Sequence, residues 1–281
     1  MLTEFQRVRF GYDRSHEIIS PTSFSIERGQ ICALLGLNGS GKSTLLKLLA
    51  GLCYPVEGRC VIDGVESRDR PLRYLKQLFL VPEEFSLPSL SIAKYADVYA
   101  PFYEGFDHEL FGRLIGEFGM TSHEVIPRMS YGMRKKMLLA FGFASRVPLL
   151  LLDEPTHGLD IPSKKQFRKM LASVCSAEQA VVMATQQVRD LGLLLDRLMI
   201  FHKRELLLNA SSEEIARRLL FSESREAPSG GDVLYSETAF PGYKVLSLNT
   251  AGVSSAVDAE LLFNGAIQNP SQIRTLFSHS N

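Results

Sequence analysis

The stretch Gly36-Leu37-Asn38-Gly39-Ser40-Gly41-Lys42-Ser43-Thr44 carries more chemistry than any other segment of the chain. It fits G-x-x-x-x-G-K-[ST], the loop that wraps the phosphates of a bound nucleotide. Glycines at 36, 39 and 41 permit backbone angles that let successive N–H groups turn inward on phosphate oxygens. Lys42 brings a point charge to the β and γ phosphates, and Ser43 offers a hydroxyl to the magnesium ion that accompanies them. A helix starting just beyond adds the positive end of its dipole to the anion site.

Two more segments have reactive potential. Leu149-Leu150-Leu151-Leu152 ends in Asp153-Glu154. Phosphoryl transfer needs charge neutralisation and a positioned nucleophile. Asp153 at a strand end can hold the metal, and Glu154 can direct a water at the γ-phosphate. Met129-Ser130-Tyr131-Gly132-Met133 places a serine and a glycine at the start of a predicted helix, followed by Arg134, Lys135 and Lys136. A serine there caps the helix.

The surrounding pattern must position these groups. Ile31 to Leu35 is an unbroken apolar run entering the loop, as a strand buried on both faces should be. Leu45, Leu46, Leu48 and Leu49 follow at helical spacing, and Gly51 stops that helix. Short strands are expected at Phe5–Phe10, Phe24–Ile26, Gly58–Gly64 and Leu78–Val81. A helical pattern spans Ile92–Phe118, with Leu110, Phe111, Leu114, Ile115 and Phe118 on one face. Another helix covers Gly132–Ala144, and a third follows Pro162 with Phe167, Met170, Leu171 and Val174 inward. Ala180–Thr185 and Leu198–Phe201 read as strands flanking a helix around Val188–Leu195. Such alternation predicts an α/β fold with a parallel sheet, whose ligand lies at the carboxyl ends of the strands. Lys42, Asp153 and Thr185 all fall at such ends. Residues 222–232, rich in Ser, Gly and Glu, read as a linker. The segment 233–281 reads as a small α+β unit.

With these segments in this order, residues 1–208 resemble the ATP-binding cassette (ABC) proteins. Ser130 and Gly132 match the family signature L-S-x-G-[QM], with Met129 in the leucine position. Tyr12 matches the aromatic that stacks on adenine, with Phe10 as a second register. Gly158-Leu159-Asp160 matches the loop that crosses the cassette dimer interface. The resemblance implies a P-loop NTPase cassette over 1–221, with a mixed sheet, an antiparallel β subdomain and a helical subdomain at about 84–146. It implies ATP and Mg2+ as cofactors. It also implies that Ser130, Gly132 and Asp160 of one cassette complete the nucleotide site of another, either an identical copy or a sibling.

Two positions depart from the family pattern. Relatives carry glutamine where this chain has Glu83, at the loop that senses metal and attacking water. A carboxylate there can contact magnesium but repels the γ-phosphate when the metal is absent. Relatives carry histidine where this chain has Gln186. Its amide can still donate to the γ-phosphate but cannot carry a proton. The expectation is slow hydrolysis, with Glu154, Gln186 and Glu83 as the catalytic set and Ser43, Asp153 and Glu83 around the metal. His157 reads as a loop residue at a variable position.

Composition narrows the function. The chain has 281 residues, 45% of them hydrophobic, and a formal net charge of zero from 31 basic and 31 acidic residues. That balance gives no footprint for nucleic acid. Four scattered cysteines argue against a metal centre and suit a reducing compartment. Met1–Asp13 does not read as a signal peptide. No apolar run approaches the ~18 residues of a membrane span. The expectation is a cytoplasmic ATPase subunit, peripheral to the membrane through a separate transmembrane permease. The short helical insert and the tail resemble bacterial exporter-type cassettes. A weakly active cassette paired with a sibling, and a soluble ABC ATPase outside transport, are the alternatives.

Overall fold

The computed structural model describes residues 1–13, 16–174, 176–187 and 194–277. The helix expected around Val188–Leu195 falls mostly outside these residues, as do Cys175 and the side chain of Val174.

Strands β1 (Thr3–Gly11) and β2 (Glu17–Ile26) pair antiparallel, and β1 also pairs with β4 (Glu57–Ile62), which turns into β5 (Val65–Glu66). Both opening strands are longer than the apolar pattern marks. A bulge at Arg7 (φ 45°) breaks the register between Phe5 and Val8, so both face the core despite their odd spacing.

The central sheet holds β3 (Ile31–Leu35), β6 (Leu78–Val81), β7 (Leu149–Asp153), β8 (Ala180–Thr185), β9 (Arg197–His202) and β10 (Glu205–Ser211). Their order is β10-β9-β3-β8-β7-β6. Every pairing is parallel except the β9–β10 hairpin, so the sheet is mixed. All five residues of β3 are buried, and they divide between two cores. Ile31, Ala33 and Leu35 face one side, with Cys32 and Leu34 on the other. This is why the run reads as continuously apolar rather than alternating.

Helix α1 (Lys42–Leu49) follows the loop directly and buries Leu45, Leu46, Leu48 and Leu49 against β7 and β8. The short α2 (Leu72–Leu75) places Tyr74, whose hydroxyl donates to the Leu49 carbonyl at 2.6 Å. The continuous helical pattern expected over 92–118 is in fact two helices, α3 (Ile92–Tyr99) and α4 (His108–Glu117). Pro101 sits in the first turn of a 3₁₀ segment that ends α3, and Asp107 restarts the chain as the cap of α4, accepting from Leu110 N at 2.8 Å. Helix α5 (Tyr131–Ala144) packs on α4, with Phe141 at the centre of an aromatic cluster. The rings of Tyr95, Tyr103, Phe106 and Phe111 lie 4.8–6.0 Å from it. Helix α6 (Ile161–Val174) buries Phe167, Met170 and Leu171 as its spacing predicts.

After α7 (Ser212–Arg218), strand β11 (Leu219–Ser224) joins β12 (Val233–Ala239) and β13 (Gly242–Leu248) in the order β11-β13-β12. Residues 222–224, read as the start of a linker, instead continue β11, because their backbones pair with Val245, Lys244 and Tyr243 of β13. Helices α8 (Ala259–Gln268) and α9 (Pro270–Phe277) close the chain. Leu246, Leu261, Leu262, Ile273 and Phe277 share one hydrophobic core with Ile200, Leu208 and Ile215. The C-terminal unit is therefore fused to the large sheet by apolar burial.

Candidate functional site

The phosphate-type loop links β3 to α1, and its shape depends on its glycines. A Cβ on Gly36 would lie 2.6 Å from the Phe201 carbonyl oxygen, a backbone atom that cannot yield. Gly41, immediately before α1, sits at φ 110°, a conformation that side chains rarely adopt. The first-turn N–H groups of α1 have no intrahelical acceptors.

A cavity of about 350 Å³ opens there. The loop contributes Asn38, Gly39, Ser40, Gly41, Lys42, Ser43 and Thr44 to its lining. Glu83 just past β6, Glu154 just past β7 and Gln186 just past β8 complete the wall, with Ile18 beside them. These three groups lie at the carboxyl ends of parallel strands, where the alternation of elements places a ligand.

Lys42 is buried and donates to the carbonyls of Gly36 (2.8 Å) and Leu37 (3.1 Å). Burial pulls its pKa down, opposed by the charges of Glu154, Asp153 and Glu83. Asp153 lies just behind the lining. Burial raises its pKa, and a hydrogen bond from the Ser43 side chain opposes that. Its Oδ1 is buried with no hydrogen-bond partner. An orphaned carboxylate oxygen beside a serine hydroxyl is a donor set that fits a hard divalent cation.

Glu154 adopts φ 43°, a left-handed conformation uncommon for a residue with a side chain. Its neighbours hold it there. Glu154 N donates to Ala184 O at 2.8 Å, Thr185 Oγ1 donates to Oε2 at 3.0 Å, and Gln186 N donates to Oε1 at 3.1 Å. Burial raises the pKa of this carboxyl too, a cost partly offset by the Thr185 bond. The Gln186 amide donates to Asn38 Oδ1, tying the end of β8 to the loop.

The remaining candidates lie elsewhere. Tyr12 is 61% exposed, and its hydroxyl is 3.3 Å from Thr44 Oγ1, so its ring stands at the open flank of the loop. Phe10 is only 6% exposed and belongs to the core, which leaves Tyr12 as the accessible aromatic. Ser130, Gly132 and Asp160 do not line the cavity. Ser130 caps α5, accepting from Met133 N at 3.3 Å, and is exposed. Asp160 accepts from Ser163 N at 2.9 Å at the start of α6, and its bonds to Ser163 lower its pKa.

Two residues near the site escape a reading by motif. Lys135 is fully buried and donates to the carbonyls of Pro82 (3.0 Å) and Asp153 (3.1 Å). One ammonium thereby fastens α5 to the ends of β6 and β7, and burial drives its pKa down to about 8. The available signal was its helical spacing from Leu138 and Leu139, which puts a lysine on an apolar face. His157 Nδ1 lies 3.1 Å from Glu83 Oε1, a contact between segments that no local pattern connects. A second cavity, of about 410 Å³ between β2, β10 and α9, presents the Arg274–Glu205 ion pair but no glycine-rich loop.

A family model described as "ABC transporter" matches residues 19–157. Over 184 residues the chain is 26% identical to the ABC transporter ATP-binding protein YtrB of Bacillus subtilis (strain 168), covering 65% of this chain and 63% of YtrB. It thus spans less than two thirds of that relative's length. Over 164 residues it is 32% identical to the SkfA peptide export ATP-binding protein SkfE of the same organism, covering 56% of this chain and 68% of SkfE. A solved structure titled "Structure of ATP binding subunit of ABC transporter" superposes with a TM-score of 0.70 at 26% identity, over 77% of this chain and 92% of that one.

Proposed function

This chain belongs to the ABC transporter family, and on that premise we propose that it is an ATP-hydrolysing subunit that drives a separate transmembrane partner. The observation that carries the reading is the cavity at the strand ends. There Lys42 and Ser43 of α1, the orphaned Asp153 oxygen and the braced Glu154 carboxylate converge from different parts of the sequence. None of the described helices is long and apolar enough to cross a membrane, which supports placing the translocation path in another chain.

Each residue has an assigned task. The glycine-rich loop and Lys42 bind the triphosphate, and Tyr12 stacks on the base. Ser43 and Asp153, with Glu83, would hold Mg2+. When bound, the ion neutralises charge shared between phosphate oxygens. Glu154 orients the attacking water, and Gln186 donates an amide N–H toward the γ-phosphate. Ser130, Gly132 and Asp160 serve a second cassette, an identical copy or a sibling, across an interface that ATP closes. The exposure of Ser130 and its absence from this chain's own cavity support that division of labour. Work against a permease places the protein at the cytoplasmic face of a membrane. The name of SkfE, which speaks of peptide export, favours export as the direction.

Glu154→Gln tests the reading. Wild-type protein should release phosphate from Mg-ATP, and the variant should lose at least about 90% of that turnover while accumulating as an ATP-bound dimer. Equal background release from both would favour a non-catalytic cassette instead.

A further inference from the structure

Glu83 joins Glu154 as a second carboxylate in the lining of a cavity suited to a triphosphate, with Asp153 next to Glu154 in the chain. Its charge reaches the centre of the site, since it pushes up the pKa values of Asp153, Glu154 and Lys42. Left unpaired, that charge would oppose any polyanion entering the loop. The structure shows what restrains it. The Nδ1 of His157 lies 3.1 Å from Glu83 Oε1, and the Tyr131 hydroxyl donates to the Glu83 carbonyl at 2.5 Å. Tyr131 is itself fixed. Its ring stacks on Phe85 at 5.3 Å with a 22° interplanar angle. It also packs so tightly on Gly158 that a Cβ there would come within 2.8 Å. Residue 83 is therefore gripped by backbone and by side chain, from two different segments.

We propose that His157 is a positioning residue for Glu83, its ring standing against the carboxylate so that the carboxylate is paired and directed away from the incoming phosphates until a divalent cation takes over its charge. The inference rests on the nucleotide reading given above and deepens it. His157 does not touch substrate. It acts through Glu83, while Tyr131 fixes the main chain on which that side chain swings.

The test is calorimetric titration of ATP into the full chain, once with MgCl2 and once with EDTA. The proteins are wild type, His157→Ala, His157→Gln, Glu83→Gln and the Glu83→Gln/His157→Ala double variant. In EDTA, His157→Ala should weaken ATP binding about two- to fivefold, the scale of an exposed charge pair. His157→Gln, whose amide can donate to the same carboxylate, should restore affinity. With MgCl2 the loss should shrink, because the cation neutralises Glu83. In the Glu83→Gln background, His157→Ala should change nothing. Equal effects of His157→Ala in both backgrounds, no effect in either, or failure of His157→Gln to rescue would each overturn the proposal. Wild-type protein that takes up no Mg-ATP would bring down the nucleotide reading itself. Tight wild-type binding without coupling would remove only the role of His157.

Discussion

At the scale of single residues, the site combines groups that a motif exposes with groups that only the fold brings together. Gln186 is a sharp case. Its amide reaches Asn38 on the loop, yet it offers no positive charge. Gln186→His should raise steady-state ATP turnover by about fivefold, corresponding to roughly 1 kcal/mol of added charge stabilisation. Unchanged or lower turnover would contradict the charge argument. Lys42, Ser43, Asp153 and Glu154 were legible in the sequence because each belongs to a short segment whose spacing serves one chemistry. His157 and Lys135 were not. Their partners, the Glu83 carboxylate and the carbonyls of Pro82 and Asp153, are fixed only once β6, β7 and α5 have packed together.

At the scale of elements, caps and burial do double duty. Ser130 both starts α5 and is proposed to meet a second cassette's nucleotide. Ser130→Ala should cost about 1 kcal/mol in a denaturant melt through loss of the cap. Ser130→Asp keeps a capping oxygen and should melt like wild type, but its carboxylate should abolish ATP-dependent dimerisation in size-exclusion chromatography. A dimerising Ser130→Asp protein would refute the cross-interface role while leaving the cap intact. Burial also silences chemistry. Cys32 in β3 and Cys60 in β4 have thiols pushed up to about 12, chiefly by desolvation. Thiolates react and thiols do not, so iodoacetamide at pH 8 should leave both unlabelled in native protein by mass spectrometry, and label them after denaturation. Strand and helix identities were readable wherever burial is simple, as in the fully apolar β3 and β7. Boundaries failed where a local device overrode periodicity. The Arg7 bulge shifts the register within β1, Pro101 and the Asp107 cap split one expected helix into α3 and α4, and pairing to β13 draws residues 222–224 into a strand.

At the scale of the whole molecule, the large sheet separates two hydrophobic cores, and the C-terminal unit deepens one of them. Leu262 on α8 is completely buried in the core that also contains Ile200 and Leu208 of the central sheet. Leu262→Ala should therefore cost about 2–5 kcal/mol and lower the midpoint of the entire molecule. Calorimetry should show one shifted transition. A separate early transition for the last residues, with the main peak unmoved, would mean that the unit folds independently. The Ser- and Gly-rich approach marks this segment off in the sequence, but composition cannot reveal that its apolar faces are buried in the core it shares with the central sheet.

The strand order has a consequence for synthesis on the ribosome. Strand β3, which launches the phosphate-type loop, is flanked by β8 and β9, so the chain must reach Thr185 to complete one neighbour and His202 to complete the other. Until then a five-residue apolar strand waits with both edges unpaired. The nascent cassette is thus most vulnerable to sticking to other chains while its first half is already outside the exit tunnel, and slowing translation before residue 202 should lengthen its dependence on chaperones.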